Sequence, residues 1–209
     1  MKENIIQNKN HWYDGWFYDK LIAPNQDKSF SILKSFVEEN STLLDVGCGT
    51  GRLAFQIADK CKKVIAIDLS SKNIEVAKRN LAANPASNIE FLHADIDSLL
   101  TKNEMKFNYS VLSYVIHEVD EEDREGILTS LIKISDKIIL IDYLVPRPKT
   151  IWNFINEIVE FLAGKNHYMN FKSYVRNNGI AGLAEQTGLR ITKQIKNCPG
   201  TTHFVVLTK

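Results

Sequence analysis

Leu43-Leu44-Asp45-Val46-Gly47-Cys48-Gly49-Thr50-Gly51 is the stretch on which the reading of this chain turns. Thr42 to Val46 is apolar apart from Asp45, the pattern of a buried strand. Gly47, Gly49 and Gly51 alternate through a turn, where bare backbone lets a ligand approach closely. Arg52 to Cys61 then places Leu53, Ala54, Ile57, Ala58 and Cys61 at helical spacing. Strand, glycine turn and helix make half of a nucleotide-binding βαβ unit, and Asp45 falls at the strand's carboxyl end, where such folds bind ligands. The helix's first amides lack intrahelical partners and are expected to point at whatever lies above the strand. An acid at Asp45 can pair with a cationic or hydrogen-bond-donating group, whereas it would repel a pyrophosphate. The dinucleotide fingerprint Gly-x-Gly-x-x-Gly also fails on spacing, because the third glycine comes one residue early.

Two further strands end in acids. Lys63 to Leu69 reads as a second buried strand, and Asp68 stands about 20 residues past the glycine turn, where a βαβ fold places a carboxylate on ribose hydroxyls. Ser70 and Ser71 can cap the following helix, Asn73 to Asn84, which leaves Asp68 for a ligand. Ile89 to Asp95 is a third strand. Phe107 to Val119 is a fourth strand running into a loop, with Ser113 and Tyr114 at the strand's end and His117 beyond it.

The glycine stretch resembles motif I of the class I S-adenosylmethionine-dependent methyltransferases, acid-x-Gly-x-Gly-x-Gly, with Asp45, Gly47, Gly49 and Gly51 at the defining positions. The Phe107–Val119 stretch resembles motif IV of the small-molecule ubiquinone and menaquinone group, with Asn108 in place of the usual aspartate. The resemblance implies that Asp45, Gly47, Cys48, Gly49 and Gly51 lie against the cofactor, and that Asp68 with Leu69 holds its ribose. It implies that Asp95 accepts from the adenine amino group while the Ile96 amide meets a ring nitrogen. Ser113 then lies beside the reactive methyl group. Candidate acceptor-site residues are Tyr13, Tyr18, Tyr114 and Tyr143. His117 is the one catalytic candidate, able to orient a substrate or accept a proton. Asp97 suits a capping role better.

At 209 residues, one domain with a sizeable core is expected. A hydrophobic content of 44% with 24% charged residues is that of an ordinary globular chain. The net charge of +1 supplies no global field for nucleic acid or an anionic membrane. Cys48, Cys61 and Cys198 are too scattered for a disulfide framework, and no spacing suggests zinc, so no metal is expected. No apolar run reaches the roughly 18 residues that span a bilayer. With no signal peptide read at the N-terminus, the expected location is cytoplasmic.

His11 to Asp19 packs five aromatics into nine residues, a candidate lid over a ligand, with residues 1–29 as an N-terminal lid segment. Phe30, Leu33, Phe36 and Val37 give a helix. Beyond the fourth strand, Asp120 to Ile134 reads as a helix opened by acids, Lys137 to Leu144 as a strand, and Ile151 to Leu162 as a helix with a wide apolar face. A helix near Asn170 to Asn177 follows, and 146–178 is expected to form a helical cap, with dimerisation through that face as the competing reading. Gly179 to Thr187 is a helix, and Arg190 to Lys196 and Thr202 to Lys209 close the chain as a hairpin.

The expected fold is an α/β, Rossmann-like three-layer sandwich with a seven-stranded, mostly parallel sheet of order 3-2-1-4-5-7-6, strand 7 antiparallel. The expected activity is methyl transfer from S-adenosylmethionine to a small-molecule acceptor, leaving S-adenosylhomocysteine. The alternatives are an RNA methyltransferase and a non-catalytic S-adenosylmethionine-binding protein. A monomer and a homodimer are both open.

Overall fold

Residues 27–102, 106–197 and 200–209 are described by the computed structural model. The elements are α1 (Asp27–Phe36), β1 (Ser41–Val46), α2 (Arg52–Ile57), β2 (Cys61–Asp68), α3 (Ser71–Ala83), β3 (Ile89–His93), α4 (Ile96–Lys102), β4 (Phe107–Ser113), α5 (Arg124–Ile134), β5 (Ser135–Tyr143), α6 (Ile151–Leu162), α7 (Lys165–Arg176), α8 (Gly179–Thr187), β6 (Arg190–Lys196) and β7 (Thr202–Thr208). The seven strands form one sheet in the order β3-β2-β1-β4-β5-β7-β6, as the sequence predicts. β7 is antiparallel to β5 and to β6, while β2 is parallel to β1 and to β3. Residue contacts divide the chain into two compact units, Met1–Ser110 and Val111–Lys209. No helix among the described residues is long and apolar enough to cross a membrane.

In the first unit, β1 buries Leu43, Leu44 and Val46 and β2 buries Val64 to Ile67, successive residues of each strand being covered as in a parallel strand with helices on both faces. Leu43 and Leu44 pair with Val64 and Ile65, and Asp68 pairs with His93 at the carboxyl end of β2. α1 buries Phe30 and Leu33, with Val37 just beyond it. Asn108, the departure from motif IV, accepts from the Thr42 amide (2.9 Å) and faces its hydroxyl (3.1 Å), fastening the start of β4 to β1. Ser70 caps α3, accepting from the Asn73 amide at 3.2 Å, as expected. Two boundaries differ from expectation. α2 stops at Ile57, and Cys61 opens β2 instead of lying on the helix's apolar face. The Lys60 and Cys61 amides donate to Ile57 and Ala58, so a tight turn spends the last helical carbonyls. α4, unforeseen, starts directly after Asp95, which accepts from the Ser98 amide at 2.6 Å; the capping role falls to Asp95.

In the second unit, β5 and β7 supply the buried apolar core, paired from Ile138 with Leu207 to Tyr143 with Thr202. β6 is the sheet edge, mostly exposed and carrying Arg190, Lys193 and Lys196, charges that discourage a foreign strand. The acids expected to open α5 precede it: Asp120 and Glu121 accept from Asn170, Arg176 and Asn177 around α7. α7 begins at Lys165, earlier than its apolar spacing suggests, because its first turn is polar. α6 is turned inside out. Its buried residues are Asn153 and Glu160, while Ile151, Trp152, Phe154, Phe161 and Leu162 are more than 60% exposed.

Candidate cofactor and acceptor residues

The glycine turn folds against the end of β2. The Gly47 and Cys48 amides donate to the Ile67 carbonyl (2.8 and 3.0 Å), and the Gly49 amide donates to Asp68 Oδ2 at 2.8 Å. The Ser70 amide donates to the other oxygen, Asp68 Oδ1, at 2.7 Å. The Gly47 and Cys48 amides therefore serve the strand end, while the Gly49 and Ser70 amides set the plane of the Asp68 carboxylate. Gly51 lies at φ +88°, and a Cβ built on it would stand 2.5 Å from Phe91 Cζ; a side chain here would strain the backbone and force Phe91 to shift.

Asp45 is 2% exposed, and its Oδ2 has no hydrogen-bond partner among the described residues. Burial, then the charge of Asp68, pushes its carboxyl up to about 8, so it is largely neutral at pH 7. An orphaned buried oxygen is costly unless a ligand group meets it. Burial, then Asp45 and Asp68, also pushes the Cys48 thiol well up, which makes it an inert packing group. Asp45, Gly47, Cys48, Gly49, Gly51 and Asp68 thus surround one turn, while Asp95 and Ile96 stand at the start of α4. This set fits a nucleoside ligand bearing a cationic or donating group near Asp45.

The second unit gathers a different group. Ser113 ends β4, and its hydroxyl oxygen is buried with no partner among the described residues. Tyr114 takes φ +57°, its amide donates to Ile141 (2.7 Å), and its hydroxyl meets Thr202 Oγ1 at 2.7 Å. Its ring centroid lies 6.0 Å from that of Tyr143. His117 is 2% exposed. Its Nδ1 lies 2.8 Å from Asp142 Oδ1, and its Nε2 lies 3.5 Å from Glu160 Oε2. Burial pulls its pKa down, but Asp142 and Glu160 outweigh that and hold it well above an ordinary imidazole. Glu160 also meets His167 Nε2 and accepts from the Tyr143 hydroxyl at 2.7 Å. Burial would raise Glu160, yet His117 and His167 hold it well below the usual carboxylate range. Tyr143 packs on His117 (4.9 Å) and Phe171 (5.4 Å).

Tyr114, Tyr143 and His117 therefore come together, whereas Tyr13, Tyr18 and Cys198 lie outside the described residues. Sequence reasoning missed Asp142, Glu160 and His167. The signal for the first two was present: each is a lone acid in an apolar run, Ile138-Ile139-Leu140-Ile141-Asp142 and Ile158-Val159-Glu160-Phe161-Leu162. A buried acid in such a run needs a partner.

Residues 43–136 match the family model described as a methyltransferase domain. The chain is 27% identical over 179 residues to a tRNA/tmRNA (uracil-C(5))-methyltransferase of Campylobacter concisus, covering 75% of this chain and 47% of the relative. It is 35% identical over 87 residues to a probable cobalt-precorrin-6B C(15)-methyltransferase of Methanocaldococcus jannaschii, covering 42% of this chain and 46% of the relative. The chain thus spans about half the length of these curated relatives. Among solved structures, magnesium protoporphyrin IX methyltransferase from Synechocystis with bound S-adenosylhomocysteine superposes with TM-score 0.63 at 16% identity, covering 98% of this chain and 91% of that one. Residues 43–136 thus match a methyltransferase domain, set within a seven-stranded sheet of order β3-β2-β1-β4-β5-β7-β6.

Proposed function

We propose that this chain transfers a methyl group from S-adenosylmethionine to a small-molecule acceptor. The observation that carries the reading is the buried oxygen of Asp45, without a partner among the described residues, just before a glycine turn whose Gly49 amide helps to orient Asp68. When bound, the sulfonium supplies an already activated methyl group, so little is asked of the side chains beyond binding and alignment. Asp68, its plane set by Gly49 and Ser70, would take the ribose hydroxyls, since each carboxylate oxygen can accept more than one bond. Asp45 would meet the ligand's ammonium, Asp95 the adenine amino group and the Ile96 amide a ring nitrogen. Gly47, Cys48, Gly49 and Gly51 would lie along the ligand, with Leu69 beside it.

On the acceptor side, the rings of Tyr114, Tyr143 and His117 suit a small, partly aromatic acceptor. Both ring nitrogens of His117 face carboxylates, which favours a positioning role for it over proton abstraction. A second reading, methylation of RNA, is favoured by the likeness to tRNA/tmRNA methyltransferases.

Titrating S-adenosylmethionine into the chain calorimetrically is expected to give one saturable site. Asp68→Ala should weaken it by a factor of 100 or so, since it removes hydrogen bonds to a charged group worth about 1.5–3 kcal/mol. Absence of binding at about millimolar ligand, with the chain folded, would refute the reading.

A further inference from the structure

The sequence suggested no metal, yet the fold of the second unit assembles a donor set that one would take. We propose that His117, Glu160 and His167 bind a single divalent transition-metal ion of the zinc class. The three come from separate places: the loop after β4, the last turn of α6 and the first turn of α7. Their ligand atoms all lie within 4.8 Å of one another. His117 Nε2 is 3.5 Å from Glu160 Oε2, close to the edge of about 3.3 Å that a tetrahedral zinc with bonds of 2.0–2.1 Å requires, while Glu160 Oε2 and His167 Nε2, in direct hydrogen-bond contact, would part to admit the ion. Two imidazoles and one carboxylate are the donors that zinc and its borderline neighbours prefer, and three protein ligands leave a position for water or another ligand.

The surroundings supply what such a site needs and what a chance cluster lacks. His117 Nδ1 is held at 2.8 Å by Asp142, itself fully buried, which leaves Nε2 to the ion. A carboxylate behind a ligating histidine fixes the tautomer and ring orientation and raises basicity. The second oxygen of Glu160 accepts from the Tyr143 hydroxyl at 2.7 Å, so the carboxylate is steered to offer Oε2. The Asp142 backbone neighbourhood adds two further restraints: the Tyr143 amide and the His117 amide both donate to that carboxylate (2.7 and 3.3 Å). Every ligand is at least nine-tenths buried by side chain, His167 being the most open at 8%. Two carboxylates buried beside two imidazoles carry excess negative charge unless protons or a cation offset it.

α6 gives an independent argument. This helix exposes its aromatics and turns Glu160 inward. Burying apolar area would have driven the opposite rotation, at roughly 25 cal/mol per Å2. A strong polar attachment at Glu160 is what the observed rotation serves, and a metal bond is stronger than the hydrogen bonds that replace it. The proposal stands on this cluster alone and does not depend on methyl transfer.

The test uses the full chain, stripped with chelator and titrated with zinc or cobalt(II). One ion per chain is expected, with micromolar or tighter affinity, a rise in Tm, and for cobalt the intense visible bands of a four- or five-coordinate ion. His167→Ala and Glu160→Ala should each cut affinity by about a hundredfold or more, and Asp142→Asn by 10–100-fold, the usual loss when a carboxylate supporting a ligand is removed. If an alanine variant fails to fold, the wild-type cobalt spectrum decides: weak bands of the hexaaqua ion overturn the site. A folded wild-type chain that takes up no ion at about 50 μM, or a His167→Ala chain that keeps it, would equally overturn it. Because these readouts are metal content and spectrum, they are unaffected by whether S-adenosylmethionine binds.

Discussion

A single carboxyl group links the ligand to the proton. Asp45 titrates near 8 in the folded chain, against 3.8 unperturbed. Its folded value is raised, so below about pH 4 both states hold the proton and nothing is lost. As pH climbs from 4 towards 8 the unfolded chain ionises while the folded one does not, and stability drains away across that window. Asp45→Asn removes the effect. Its advantage in unfolding free energy over the wild type should grow by up to about 3 kcal/mol between pH 5 and pH 7.5, read from urea titrations at the two values. Binding reverses the preference, because a cationic ligand group selects the ionised carboxylate. Uptake of S-adenosylmethionine below pH 8 is then expected to release about one proton, with calorimetric heats that differ between phosphate and Tris. Equal heats in the two buffers would show that Asp45 does not meet the cation. Asp45 and Asp68 were legible in the sequence, since each is the acid that ends an apolar run. The orphaned oxygen was not, because a hydrogen bond left unmade leaves no pattern in the letters.

At the scale of elements, the turn between β1 and α2 is fixed from outside itself. Gly51 sits at φ +88° with Phe91 of β3 where a Cβ would be, so the third glycine of the motif is explained by packing as well as by any ligand. Gly51→Ala is expected to cost about 2–4 kcal/mol in urea unfolding, from the left-handed backbone plus overpacking. Pairing it with Phe91→Leu should return part of the loss, a positive coupling that a purely local backbone effect would not give. Boundaries were the least legible feature. Cys61 fits both the helical spacing of Arg52 to Cys61 and the strand that follows, and only the turn at Ala58–Lys60 settles it. α6 was legible as a helix, but not which of its faces turns inward: periodicity reports which residues share a face, and the chain's tertiary partners choose the one that is buried. Asn153 and Glu160, with Arg147 bonded to the Asn153 carbonyl and to Glu157 (2.6 Å), made that choice. Arg124 has the same character. It is 2% exposed, and it donates to the carbonyls of Val119 (3.0 Å) and Asn170 (2.7 Å), holding the loop after His117 against α7. Arg124→Leu should lower stability by about 3 kcal/mol, because those carbonyls lose their partner.

For the whole molecule, strand order was the most legible property. Acids at the ends of successive apolar runs, a proline-stopped fifth strand and a closing hairpin specify the sheet more firmly than any single helix. The acceptor was the least legible, and net charge bears on it. A protein that grips RNA neutralises a row of phosphates, and one making six to ten such contacts loses roughly 10³–10⁵ in affinity between 50 and 200 mM salt. This chain carries 26 basic and 25 acidic residues, so its long-range field is close to neutral. The basic side chains that could meet phosphates are partly committed: Lys34 to Asp59, Lys63 to Glu90, Arg147 and Lys172 to Glu157, and Arg176 to Glu121. Binding of bulk tRNA, followed by fluorescence anisotropy, is therefore expected to be weak at 50 mM salt and absent at 200 mM. S-adenosylmethionine has no row of phosphates, and its affinity should change little over the same range. Submicromolar tRNA binding that survives 200 mM salt would shift the acceptor from small molecule to RNA. The proposed cofactor residues would keep their roles in that event, because what is proposed for Asp45, Asp68 and Asp95 concerns the methyl donor and not what receives the methyl group.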